Sequence, residues 1–142
     1  MKRPNRDEHL FSPGPKRILA LDGGGIRGIL TVQVLKRIEG LLRARAGGDA
    51  AFRLCDYFDL IGGTSTGAIL AAGLATGMSA DELESLYHEL GDAIFDPDVL
   101  RWGLLRAKFS KAPLEKALKR QFGDITLGDP TRIRTGLAIM LK

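Results

Sequence analysis

Tyr57-Phe58-Asp59-Leu60-Ile61-Gly62-Gly63-Thr64-Ser65-Thr66-Gly67-Ala68-Ile69-Leu70-Ala71-Ala72-Gly73-Leu74-Ala75-Thr76 is the stretch on which the fold turns. Tyr57 to Ile61 is a short apolar run of the kind that forms a buried strand. Gly62 to Gly67 breaks it, and Ala68 to Thr76 then predicts a helix of small residues, closed by Gly77 at a C-cap position. The same grammar occurs once upstream. Ile18-Leu19-Ala20-Leu21 is wholly apolar and runs into Asp22-Gly23-Gly24-Gly25. Beyond Gly28, Leu30, Val34, Ile38 and Leu41 recur at helical spacing until Gly47-Gly48. Two strand–turn–helix units predict an α/β fold with a mainly parallel sheet, because parallel strands need helical crossovers. Ligand chemistry in such sheets belongs at the carboxyl ends of the strands. Both glycine clusters fall there.

Downstream, Ser79-Ala80-Asp81-Glu82 fits a capping box. The helix it opens carries Leu83, Leu86, Tyr87, Leu90 and Ile94 on one stripe and stops at Asp96-Pro97. Pro113 suits the first turn of a further helix, with Leu114, Ala117, Leu118 and Phe122 inward and Gly123 past its end. Arg132 to Leu141 predicts a third strand. Residues 1–16, with Pro4, Pro13, Gly14 and Pro15, read as a mobile arm, so residues 17–142 form the structured unit.

A chain of 142 residues, 44% hydrophobic and 27% charged, is long enough for one core and unlike disordered or collagenous sequence. It has no apolar run of the roughly 20 residues that span a bilayer. The first residues lack the apolar core of a secretory signal, and a cytoplasmic location is expected. One cysteine, Cys55, excludes an internal disulfide and reads as a small packing residue; two histidines give no zinc-ligand spacing. Charge is segregated. Residues 1–50 hold ten Lys/Arg against five Asp/Glu, residues 51–100 one against nine, and residues 101–142 ten against three. A basic final third could face anionic lipid or nucleic acid, but with 6% aromatic residues no base-stacking platform is visible, so no nucleic-acid partner is expected. Val99 to Phe109 mixes large apolar residues with Arg101, Arg106 and Lys108, which suits contact with a membrane surface across residues 98–109, or a helix packed on its own domain.

Gly63-Thr64-Ser65-Thr66-Gly67 is a G-x-S-x-G motif between a strand and a helix. A serine on so sharp a turn has its hydroxyl pushed out of the sheet, and only small neighbours make room for it. The bland alternative is a glycine-rich turn with Ser65 as helix cap. Gly23-Gly24-Gly25-Ile26-Arg27-Gly28 also matches G-x-G-x-x-G. A phosphate-binding P-loop fails here, because Ile29 and Leu30 follow Gly28 where Lys and Ser/Thr are required. A dinucleotide site would use an acid about 20 residues on, and Asp49 lies at that distance but in a glycine-rich loop after a helix. The third option is an oxyanion hole, in which consecutive glycine amides point into one concavity and Arg27 supports the loop.

Serine and amide cradle on two strand ends of one sheet are what acyl transfer needs. The pair resembles the patatin-like phospholipase family, with its D-G-G-G-x-R-G loop and G-x-S-x-G elbow, from about Arg17 to Asp129. The resemblance implies a three-layer α/β architecture and a serine acyl hydrolase cleaving lipid esters through an acyl-serine and a Ser-Asp dyad, without metal or organic cofactor. It assigns Ser65 as nucleophile, Gly23, Gly24, Gly25, Arg27 and Gly28 to the oxyanion loop, and Gly63, Thr64, Thr66 and Gly67 to the elbow. The family's base is an Asp in a later D-G-A or D-G-G motif. None follows Gly28, so these residues are expected to be the amino-terminal part of the domain. His9 lies in the arm and the wheel turns His88 outward. Two rival functions remain at this level: a non-catalytic interaction protein that keeps the scaffold, and a nucleotide-binding module.

Overall fold

Three short apolar segments lie side by side in the computed structural model, which describes residues 3–94 and 112–140. β1 (Ile18–Leu21), β2 (Leu60–Thr64) and β3 (Gly136–Met140) form a parallel sheet in the order β1-β2-β3. Leu21 pairs with Gly63 and Gly63 with Ile139, so the three carboxyl ends meet at one edge. Five helices accompany the strands among the described residues: α1 (Arg6–Phe11), α2 (Gly28–Arg45), α3 (Thr66–Ala75), α4 (Ala80–Ile94) and α5 (Ala112–Phe122). This is the parallel α/β architecture that the repeated strand–turn–helix grammar calls for.

α3 packs on all three strands. Its small side chains permit the close approach, and Leu70, Ala71 and Leu74 share one buried cluster with Leu21 and Ile61. α4 completes that cluster with Leu83, Leu86, Tyr87 and Leu90, and α2 packs on α4. The capping box at the start of α4 is formed. Glu82 accepts the Ser79 amide at 2.7 Å, and the Ser79 hydroxyl accepts the Glu82 amide at 3.2 Å.

Four expectations need correction. β2 is Leu60–Thr64 rather than Tyr57 to Ile61. Glycine reads as a turn, but Gly62 is a strand residue here, paired in register between Ala20 and Ala138. Tyr57 and Phe58 form an edge-to-face pair with ring centroids 5.2 Å apart, and the Arg17 guanidinium covers Tyr57 at 4.5 Å. β3 begins only at Gly136. Before it, the Arg134 amide donates to the Ala75 carbonyl at 2.8 Å and the Thr135 hydroxyl to the Phe58 carbonyl, which takes this backbone out of the ladder. α2 buries Val32, Leu35 and Glu39, whereas Leu30, Val34 and Leu41 are exposed. Glu39 earns its place by accepting the Ala80 amide at 3.2 Å at the start of α4, with Arg43 paired to it at 2.6 Å. Burial raises its pKa, against the pull of that amide and of Arg43. Finally, the expected arm contains α1, whose Asn5 and Glu8 make both bonds of a capping box. His9 on α1 is buried and its Nδ1 lies 2.8 Å from Asp59, just before β2. Asp96-Pro97, residues 98–110 and Leu141 lie outside the described residues, and with them the 98–109 surface. Among the described residues no helix is long and apolar enough to cross a membrane.

Candidate active site

Ser65 occupies the N-cap of α3 with φ 52° and ψ −127°, and it is the one non-glycine residue of positive φ among the described residues. Such a conformation costs on the order of 1–3 kcal/mol and persists only where the surroundings enforce it. They do so here through two close backbone approaches. A Cβ on Gly63 would run into the Gly67 carbonyl, and one on Gly67 would run into the carbonyls of Leu21 and Asp22. The start of α3 is thereby wedged between its own strand and β1. Ser65 is exposed and its side chain does not cap the helix. The N-terminal dipole of α3 favours negative charge beside it.

The second glycine loop lies directly against this turn. A Cβ on Gly23 would sit 2.8 Å from Ser65 Cβ. The two threonines flanking Ser65 stitch the loops together: the Gly23 amide donates to Thr64 Oγ1 at 3.1 Å and the Gly24 amide to Thr66 Oγ1 at 3.3 Å. Gly25, at φ +56°, opens a single turn of 3₁₀ helix, Gly25–Arg27, and the Arg27 amide closes it on the Gly24 carbonyl at 3.1 Å. Arg27 is exposed at the N-cap of α2. Gly28 is packed on the Tyr87 phenol so closely that a Cβ would overlap it, and the Tyr87 hydroxyl donates to the Gly25 carbonyl. The structure therefore brings Gly23, Gly24, Gly25, Arg27 and Gly28 to the same edge as Gly63, Thr64, Ser65, Thr66 and Gly67. It also adds Tyr87, which hydrophobic spacing alone files with the leucines of α4. The signal was its hydroxyl, because a buried tyrosine needs a partner.

Several ionisable groups elsewhere are paired with one another or with backbone. Lys36 bridges Asp81 at 2.9 Å and Glu84 at 2.7 Å, which holds both carboxyls below their usual range and pushes the lysine up to about 12. Glu82 is held down by the Ser79 amide and hydroxyl. His88 is exposed. The His9–Asp59 pair stands at the amino edge of the sheet, roughly 20 Å along β2 from Ser65 at about 3.3 Å per strand residue. Asp49 pairs with Arg3 at 2.9 Å in the loop after α2, away from any strand end. Cys55 is buried, and burial pushes its thiol up to about 12, as a packing residue requires.

Comparison with known proteins extends the geometry. A family model described as patatin-like phospholipase matches residues 19–137. A cGAMP-activated phospholipase of Escherichia coli (strain TW11681) is 41% identical over 124 residues, covering 82% of this chain and 34% of the relative. Patatin-17 of Solanum cardiophyllum is 38% identical over 114 residues, covering 75% of this chain and 28% of the relative. An intracellular phospholipase A2 of Caenorhabditis elegans is 40% identical over 110 residues, covering 78% of this chain and 9% of the relative. The chain thus spans about a third or less of the length of these relatives.

Proposed function

The chain belongs to the patatin-like phospholipase family, and we propose that it carries the nucleophile and oxyanion loop of a serine lipid acyl hydrolase. The observation that carries this reading is the backbone of Ser65. An exposed serine held at φ 52° by two glycines that admit no side chain, with a second glycine loop against its Cβ, is costly to build as an ordinary turn. The relatives' own names, phospholipases among them, favour lipid esters as the substrate class.

In this reading Ser65 Oγ attacks the ester carbonyl carbon while its proton passes to a base. The tetrahedral intermediate collapses, the alcohol leaves with a proton, and water then releases the carboxylic acid from acyl-Ser65. The amides of Gly23 and Gly24 serve the threonines, so we assign the oxyanion to the Gly25 and Thr66 amides, with the α3 dipole behind them. Arg27 stands at the mouth of the loop. Among the described residues no carboxylate or imidazole hydrogen-bonds the Ser65 hydroxyl. We assign the base to the family's dyad aspartate, in an Asp-Gly-Gly or Asp-Gly-Ala motif distinct from the Asp22-Gly23-Gly24 of the oxyanion loop and not found between Gly28 and Lys142.

A fluorophosphonate probe tests the proposal on the full-length protein. Covalent labelling at Ser65, with ester hydrolysis that disappears in Ser65→Ala, supports it. No labelling together with tight binding of an adenine dinucleotide would favour the nucleotide module. Neither result would leave a scaffold that only binds partners.

A further inference from the structure

We propose that Tyr87 is a positioning residue for the glycine loop, its hydroxyl fixing the Gly25 carbonyl so that the peptide planes on either side of Gly25 hold one orientation beside the Ser65 turn. The inference rests on Ser65 being the nucleophile. Tyr87 is 3% exposed and reaches the loop from α4, whose other core residues are Ala80, Leu83, Leu86 and Leu90. Its oxygen donates to the Gly25 carbonyl. The same oxygen receives the Gly28 amide and the Thr66 side chain, and burial raises its pKa despite both, which keeps it a donor at neutral pH. Thr66 in turn accepts the Gly24 amide at 3.3 Å. One phenol therefore links both ends of the glycine loop to the residue that follows Ser65.

The geometry explains why the loop needs such a peg. Carbonyl and N–H point in opposite directions across a trans peptide. Anchoring the Gly24 carbonyl on the Arg27 amide and the Gly25 carbonyl on Tyr87 therefore sets the directions of the Gly25 and Ile26 N–H groups. Consecutive glycines have no side chains with which to resist rotation of these planes. A rotated plane would turn a carbonyl oxygen toward the developing oxyanion, and amide donors act only when they are preorganised. A tyrosine that merely filled space would do nothing that phenylalanine does not.

The test is Tyr87→Phe in the full-length protein. Misplaced catalytic geometry costs up to about a hundredfold, so kcat on a short-chain ester is expected to fall tenfold to a hundredfold, on the order of that limit. KM should stay within about twofold, because ground-state binding is untouched. The rate of fluorophosphonate labelling at Ser65 should fall in parallel. Thr66→Val, which cuts the other end of the link, should lower kcat similarly, and the double variant should be no worse than the poorer single. An unchanged kcat and labelling rate in Tyr87→Phe, or additive losses in the double variant, would overturn the inference. Should Tyr87→Phe not fold, an unchanged kcat in Thr66→Val decides against it. Failure of the nucleophile reading looks different: the wild-type protein itself would not be labelled at Ser65, and the inference would fall with it.

Discussion

At the carboxyl edge of the sheet, Ser65 stands exposed in a backbone conformation that no other described non-glycine residue adopts, beside a loop made largely of glycine. At the amino edge of the same strand, His9 and Asp59 are joined at 2.8 Å, the Arg17 amide donates to Asp59 at 2.7 Å, and the Thr135 hydroxyl closes on the Phe58 carbonyl. One edge holds a strained serine beside a glycine loop; the other holds a hydrogen-bonded cluster, in which only Nε2 of the buried His9 lacks a partner. The difference teaches where each kind of damage should register. Changes at the carboxyl edge should remove chemistry, and changes at the amino edge should remove stability.

The largest effect should come from Ser65→Ala in the full-length protein. Loss of a serine nucleophile lowers turnover by up to about a million-fold, while the melting temperature should hold or rise, since a hydroxyl is removed from an exposed site. Measuring both on one preparation would break the comparison if stability fell with activity. Next is Gly67→Ala. Its methyl would meet the Leu21 and Asp22 carbonyls, backbone that cannot move aside without displacing β1. Overpacking of this kind costs roughly 1–3 kcal/mol or more, and activity should vanish too, which makes Gly67 the point where the two edges' roles meet. Denaturant unfolding alongside hydrolysis checks it.

The amino edge supplies the converse. His9→Ala should destabilise by about 1–3 kcal/mol, the usual result of stripping a buried hydrogen-bond partner, and leave the Ser65 labelling rate unchanged. Its partner adds a pH dependence. Burial raises the Asp59 pKa, but the His9 and Arg17 hydrogen bonds outweigh it, and the net shift is downward. The stability Asp59 contributes is therefore present above the ordinary carboxylate pKa of about 4 and lost as pH falls through the lowered value. Melting curves in that acid range should converge for wild type and Asp59→Asn. The smallest effect concerns Cys55, whose thiol is pushed up to about 12 by burial. It should resist a thiol reagent at neutral pH until the protein unfolds, and fast reaction in the native state would show that the covered edge opens.

Much of this arrangement is legible in the residues themselves. The small-residue helix and the Ser79–Glu82 cap follow local rules that nothing distant overrides. What escapes local reading is long-range. Gly62 and Gly63 look like a turn, yet both pair in register within β2, and at Gly63 the start of α3 comes too close for a side chain. Apolar spacing in α2 selects Leu30, Val34 and Leu41, but the buried face carries Val32, Leu35 and Glu39, the last of which meets the start of α4, 41 residues further on. His9 sits in a stretch without periodicity and finds Asp59 50 residues away. Thr64 and Thr66 are readable as elbow residues, but their bonds to Gly23 and Gly24 depend on two strands lying side by side. The Tyr87 bond to Gly25 spans 62 residues and is invisible to any windowed pattern.

The bond between the Arg134 amide and the Ala75 carbonyl has a mechanical consequence. At its far end α3 is tethered by this bond at 2.8 Å, and the Arg134 guanidinium is itself moored to Asp56 at 2.6 Å. At its near end the helix abuts the β1 carbonyls through Gly67. α3 is thus a beam fixed at both supports, unable to slide along its axis to slacken the kink at Ser65. Tension introduced at that kink stays where it is, and the sheet works as the frame of a loaded spring whose displacement is confined to one residue.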